Sequence, residues 1–245
     1  MDDGSIVHAV GVDAYKETAK ELAIWRVAGM PADPDRPVEV DAQTVRLPRG
    51  RRIHLPPRGR QPGTTVRIET NDHRVLSVYC ANDSISVALH HGCTPAGDTK
   101  RRSCLRFLNI LPPFGAAPPY PTTYRLSRDV RVSTPGEYYF YPAHVVDPWF
   151  NIVAVFNKSS VSEFASVHAA GIKAADGDDV FSDQLLVRSG GLPYLPPRPR
   201  YGDYSGIHLD WLDPRIKWVA AQYPGPTISE KWSTQIAAVF NETFP

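Results

Sequence analysis

Cysteine is scarce in this chain: Cys80, Cys93 and Cys104 are the only three in 245 residues. Three is too few for a disulfide scaffold and odd in number, so at least one thiol lacks a partner within the chain. No apolar run approaches the roughly 18 residues a membrane-spanning helix needs, which points to a soluble or peripheral protein. The opening residues MDDGSIVHAV are acidic. They show neither the basic start and apolar run of a secretory signal nor the Arg-rich, acid-poor character of a transit peptide. Either the chain is mature as written or a targeting segment has been removed, and an organellar or cytoplasmic assembly is expected in preference to secretion. Also missing are a nucleophile elbow, a metalloprotease helix motif, a phosphate-binding glycine loop and a dinucleotide fingerprint. The expectation is a non-enzymatic protein without a cofactor.

What is present is a long chain, 42% hydrophobic, able to bury one large β-domain or two small ones. Its net charge of +1 hides an uneven distribution. Residues 1–45 hold nine acids against four cations, residues 46–136 five against fifteen, and residues 137–245 twelve against eight. An anionic partner would meet the middle third, because a field of that size steers association.

Residues 13–28 read as a helix capped by Asp13, with Tyr15, Ala19, Leu22 and Trp25 or Arg26 at helical spacing and Gly29 and Pro31 ending it. From Val38 to Phe156 the pattern changes to ten short runs divided by Gly, Pro, Asn and Asp, among them TTVRIET, SISVALHH, CLRFLNIL, EYYFYP and FNIVAVFN. Such spacing predicts a sandwich or a barrel, and an antiparallel, jelly-roll-like β-sandwich over residues 38–160 is the preferred reading. In TTVRIET, Val66 and Ile68 are expected on one face and Thr65, Arg67 and Glu69 on the other. Residues 190–206, GGLPYLPPRPRYGDYSG, cannot form a helix and read as a stiff extended segment. Two C-terminal helices are then expected. One opens at Asp213 and Pro214 and places Ile216, Val219, Ala220 and Tyr223 on one face; the other opens with a Thr227–Glu230 capping box and presents Trp232, Ile236, Val239 and Phe240. The organisation is thus an N-terminal helix and linker (1–37), a sandwich (38–160) and an extended, partly helical region (161–245).

GTTVRIETNDHRVLSVYCAND followed by PGEYYFYP resembles the pattern of pre-peptidase C-terminal β-sandwich modules, in which a P-G-x-Y-Y turn leads into a late core strand. The resemblance covers about residues 38–157. It implies a non-catalytic accessory or binding module.

The stretch HHGCTPAGDTKRRSCLRF (90–107) admits three readings: a metal site, a disulfide-closed hairpin or an exposed turn. A zinc site normally pairs its ligands as C-x₂₋₄-C or H-x₃₋₅-H, and that pairing is missing. Adjacent histidines on a strand face opposite ways, so only one of His90 and His91 could join the cysteines. If SISVALHH and CLRFLNIL are neighbouring strands, Cys93 and Cys104 stand at the two ends of the loop between them, within reach of a disulfide; two free thiols are the alternative.

Residues 46–67 hold seven arginines and no acid. Arg46, Arg49, Arg51, Arg52, Arg58 and Arg60, with Lys100, Arg101 and Arg102, are candidates for an anionic partner, because guanidinium groups bind phosphate and carboxylate in bidentate fashion. That partner could be an acidic protein, an anionic lipid or RNA, and the competing reading is a solvated edge hairpin whose charges prevent aggregation. DGDDVFSD (176–183) fails the EF-hand template, with Phe181 where its glycine belongs, but leaves another calcium loop open. Asn82, Asn157 and Asn241 begin glycosylation acceptor triplets.

The leading functional expectation is an accessory subunit that docks with other protein subunits of a large complex. Tyr194, Tyr201, Tyr204, Trp211 and Trp232 are its docking candidates. A glycan-binding module using Tyr138, Tyr139, Tyr141 and Trp149 is the second reading, and RNA or anionic-lipid binding through the Arg-rich stretch the third.

Overall fold

The computed structural model describes residues 7–13, 16–29, 37–81, 84–112, 123–174, 181, 184–196, 200–225 and 232–240. Among these residues there is no helix: sixteen strands form five sheets, and every strand pairing is antiparallel. The N-terminal strands are β1 (Val7–Gly11), β2 (Thr18–Ala19), β3 (Glu21–Ala28), β4 (Glu39–Arg46) and β5 (Ile53–His54). They make a sheet of order β1-β3-β4 and a short β2-β5 pair. Next come β6 (Ser77–Ala81), β7 (Ser84–Cys93), β8 (Arg102–Leu111) and β9 (Arg125–Val132), a meander in chain order. A second meander follows, of β10 (Tyr138–Val146), β11 (Ile152–Ser159), β12 (Ser166–Ile172) and β13 (Leu185–Arg188). A last sheet holds β14 (Gly206–Leu209), β15 (Ile216–Tyr223) and β16 (Ser233–Phe240).

The mainly β, antiparallel expectation therefore holds, while the expected helices do not. Residues 18–28 are β2 and β3, and the stretches read as C-terminal helices are β15 and β16. Thr227, Glu230 and Tyr15 lie outside the described residues. The four-stranded sheets are sequential meanders, not the crossed strand order of a jelly roll. TTVRIET is not a strand; it contributes one isolated bridge, Gly59 to Ile68, with Ile68 buried and Val66 exposed.

The four larger sheets stack in four layers. In the middle, Ala88, Leu105 and Phe107 of the first meander pack against Tyr139, Ala154 and Phe156 of the second. Because side chains alternate across a strand, the opposite face of the first meander carries Val87, Leu89 and Leu108, and these pack on Leu22, Ile24 and Val45 of β3 and β4. The outer face of the second meander carries Val155, Val167 and Ala169, which pack on Val219, Ala221 and Val239 of β15 and β16. Both inner sheets are thus covered on both sides. That accounts for strands such as β8 and β11 that are buried almost throughout, since a sheet wet on one side would alternate. Each fully buried large apolar side chain contributes about 1.5–3 kcal/mol.

A fourth apolar cluster joins Ile68, Phe140, Tyr141, Tyr194 and Tyr201. β10 is bulged between Phe140 and Ala143, with Tyr141 at φ 53°. A bulge is where a strand tolerates proline, and Pro142 follows directly. The distortion frees the Tyr141 N–H to donate to His90 Nδ1 at 3.1 Å. An extended Pro-rich segment has no internal hydrogen bonds, so residues 190–206 need partners elsewhere. Gln61 provides them: its Nε2 donates to the Tyr194 carbonyl at 2.9 Å and its Oε1 accepts the Tyr194 N–H at 2.7 Å.

Candidate functional site

The outer face of the last sheet is built by strict alternation. In β15, Lys217, Val219, Ala221 and Tyr223 turn inward, which leaves Ile216, Trp218, Ala220 and Gln222 outward. In β16, Thr234, Ile236, Ala238 and Phe240 are exposed. Register brings Ile216 opposite Phe240, Trp218 opposite Ala238 and Ala220 opposite Ile236. The apolar side chains therefore adjoin across the strands. Trp218 is 49% exposed, Phe240 53% and Ile236 67%, and the β14–β15 turn adds Trp211 at 85% with Leu212. Trp218 Nε1–H donates to Asp210 Oδ2 at 2.9 Å, which holds the indole along the sheet. Behind this face, Lys217 is buried with its Nζ 3.9 Å from Asp147 Oδ2, tying β15 to the β10–β11 turn. Burial pushes the Lys217 amine below its ordinary range, against the pull of Asp147 and Asp213.

A second feature lies at the other end of the stack. Arg51 N–H donates to the Pro48 carbonyl at 2.9 Å across a turn whose third residue, Gly50, has φ 82°. Positive φ at that position is the type II requirement that glycine meets without strain. Leu47 N–H donates to the Lys20 carbonyl at 2.9 Å. Together these bonds gather Lys20, Arg46, Arg49 and Arg52 around a cleft of about 420 Å³, which Glu21, Leu47 and Pro48 also line.

The sequence-derived candidates separate accordingly. Of the arginines, Arg46, Arg49 and Arg52 meet at the cleft. Arg51 turns inward, donating to the Asp129 carbonyl at 2.8 Å, and Arg58 pairs with Glu69 at 2.5 Å. Arg60 belongs to the segment bridged to Ile68 and does not line the cleft. Lys100 and Arg101 are exposed, whereas Arg102 is buried, held by Asp98 at 2.7 Å and the Tyr138 hydroxyl at 2.6 Å. Arg102 is therefore structural: its guanidinium, with the Gly136 and Lys100 N–H groups, holds the Asp98 carboxyl far below its usual range.

Tyr194 and Tyr201 are core residues, contrary to the expectation that their rings are free to lie on another surface. The Tyr201 hydroxyl donates to the Gln222 carbonyl at 2.8 Å. Tyr204, Trp211 and Trp232 are exposed. Tyr138, Tyr139 and Tyr141 are buried, so of the four aromatics expected to form a glycan platform only Trp149 reaches the surface. Sequence reading missed Trp218, Ile236 and Phe240 as a joint outer face, because it placed them on helices; the register that brings β15 and β16 side by side is what joins them.

Cys93 and Cys104 form a disulfide with Cα atoms 5.9 Å apart, and Cys80 is a free, exposed cysteine. Among the described residues, no group of three His, Cys, Asp or Glu side chains is placed to hold a metal ion. The DGDDVFSD loop lies outside the described residues except for Phe181, as do Asn82 and Asn241. Asn157 is buried, and its Nδ2 donates to the Gln222 carbonyl at 2.7 Å.

Buried histidines occupy the interior. His90 Nε2 lies 2.5 Å from the Thr70 carbonyl, and His144 sits between Ser77 Oγ at 3.0 Å and Ser86 Oγ at 2.8 Å. Burial pushes His90 down to about 4 and His144 down to about 3. Ser86 Oγ–H donates to Asn109 Oδ1 at 2.9 Å, so the hydroxyl proton points away from the imidazole. That geometry makes the pair an internal polar tie, since a general base must receive the proton it abstracts. His91, also fully buried, has both ring nitrogens without a hydrogen-bond partner among the described residues. Burial, with Arg106 and Arg131 nearby, holds its pKa well below the ordinary value.

No helix among the described residues is long and apolar enough to cross a membrane. The chain matches no family model, no curated protein and no solved structure.

Proposed function

We propose that this chain is a non-catalytic structural subunit that docks into a larger protein assembly through the outer face of β14–β16. The carrying observation is the exposed set Trp218, Ile236 and Phe240 on one face of β15 and β16, with Trp211 and Leu212 exposed in the turn that leads into β15. From their exposures these five side chains together offer roughly 700 Å², close to one partner's share of a standard interface. The sequence supports the same reading: IKWVAAQY is apolar on both sides, as are the inner strands, yet only one of its sides is covered.

The outward residues of β15 and β16 include no acid and no Lys or Arg. Charge enters only beside them, where Asp210 accepts from the Trp218 indole and the Arg215 guanidinium, paired with Asp213, lies 5.6 Å from the Phe240 ring centroid. A partner should therefore present an apolar surface with opposite charges at its edge. A second copy of this chain has one, with Asp210 and Arg215 able to face each other across it, so it is the occupant we assign. The likeness of residues 38–157 to pre-peptidase C-terminal modules agrees with a non-catalytic role.

Sedimentation equilibrium tests this at about 100 µM, above the micromolar dissociation constants at the weak end for standard interfaces. The expected mass is a multiple of 27.2 kDa. Trp218→Lys with Ile236→Lys should sediment as a single chain with unchanged thermal unfolding. A wild-type monomer at that concentration would overturn the proposal.

A further inference from the structure

The geometry points to a second site: the cleft between Lys20, Arg46, Arg49 and Arg52 binds a ligand bearing two or more phosphate groups. These four cations come from separate pieces of the chain: Lys20 from the β2–β3 connection, Arg46 from the end of β4, and Arg49 and Arg52 from the turn that follows. Among the described residues none of the four is in an ion pair, whereas Arg51, Arg58, Arg74, Arg102 and Arg106 each bond a carboxylate. Among the described residues Glu21 is the one acid on the cleft wall, and it stands opposite Arg46 in the β3–β4 register. Four cations against one carboxylate suit an anion of charge about −3. One phosphate ester carries about −1.5 to −2, so two groups match where a lone carboxylate would not.

The cleft is held in place before any ligand arrives. Arg51, between Gly50 and Arg52, is anchored on Asp129, and Ile53 is wholly buried beneath the loop. Arg49 and Arg52 therefore flank a fixed point instead of a loose chain, which lowers the ordering cost of binding. Guanidinium forks match phosphate oxygens in bidentate fashion. Among the described residues no aromatic side chain lines the cleft, and a single-stranded nucleic acid would need such stacking platforms. A volume of about 420 Å³ suits a compact polyphosphorylated ring or headgroup.

The test uses the full chain and titration calorimetry with inositol hexakisphosphate, alongside flotation with vesicles containing phosphatidylinositol bisphosphate. Saturable one-site binding of the soluble probe is expected. It should weaken by about 100-fold or more in Arg46→Gln/Arg49→Gln/Arg52→Gln, since each lost charge-assisted bond costs roughly tenfold. Arg58→Gln/Arg60→Gln removes two charges outside the cleft and should leave binding nearly unchanged; circular dichroism checks that both variants fold. Binding of both probes assigns a free or headgroup phosphate alike, and binding of vesicles alone, lost in the triple variant, assigns the lipid source. Three results would overturn the site: no binding of either probe, equal weakening by both variants, or an oligothymidine strand binding as tightly as the soluble probe.

Discussion

Mild acid should destabilise this fold through its buried histidines, His90, His91 and His144 above all, with His73 acting in the same direction. His90 is locked in one neutral form, because its Nδ1 accepts the Tyr141 N–H while its Nε2 faces the Thr70 carbonyl. A second proton on Nδ1 would oppose that N–H directly. His144 is bounded by two hydroxyls, and His91 has no hydrogen-bond partner among the described residues. Their folded pKa values lie at about 4 for His90, about 3 for His144 and well below the ordinary value for His91, in every case chiefly through burial. Unfolded, each returns to about 6.5. The unfolded chain therefore binds protons first as pH falls, so the stability lost begins near pH 6.5 and grows down to the folded values. His90 and His144 each lose about 1.4 kcal/mol per pH unit in that window, or about 2 kcal/mol at pH 5. Those two together lose about 4 kcal/mol, a large share of the stability of many domains, and His91 adds to the loss in the same direction. Carboxylates with lowered folded pKa values, such as Asp72 and Glu163, lose stability only as pH falls past their ordinary values near 4, so the interval from pH 7 to 5 isolates the histidines. Urea unfolding followed by tryptophan fluorescence across that interval measures the loss directly. His91→Leu should reduce the pH slope and raise stability at pH 7, since no hydrogen bond is sacrificed. Stability constant to within about 1 kcal/mol between pH 7 and 5 would refute the reasoning.

Two other predictions concern the scaffold. Reducing the Cys93–Cys104 disulfide, which closes an 11-residue separation, should lower stability by about 2–3 kcal/mol, read as a drop in urea midpoint when reductant is added. Gly92→Ala should destabilise more sharply than a surface change, because a Cβ there would lie 2.3 Å from the Leu55 carbonyl oxygen, a backbone atom of the segment crossing over β7; limited proteolysis within residues 46–55 should accelerate in that variant.

The middle of the chain was legible because its strands announce themselves. SISVALHH and CLRFLNIL pair as expected, with His91 opposite Cys104, and EYYFYP and FNIVAVFN form the neighbouring strands β10 and β11. The flanks were misread for a physical reason. In ELAIWRVA and IKWVAAQY almost every residue is apolar, so periods of 2 and of 3.6 fit alike, and only the covering layers decide. Leu22 and Ile24 both face the first meander, which a strand allows and a helix does not. Ile216 and Val219 are β-branched, a hint toward strand that local capping signals at Asp213 and Pro214 outweighed. The burial of Tyr194 depends on Gln61, 133 residues earlier, a partnership no local pattern contains. The cleft was legible as charge but not as shape: Arg46, Arg49 and Arg52 converge while Arg51, between them, turns inward, and alternation about one anchored residue becomes visible only once Asp129 is in place.

Oxidative footprinting of the wild-type chain at low and high concentration tests the assembly face most directly. The account predicts that Trp211, Trp218 and Phe240 become protected as concentration rises while Trp25 and Trp149, at surfaces elsewhere, oxidise at a constant rate. Equal oxidation of all five rings at every concentration would contradict it.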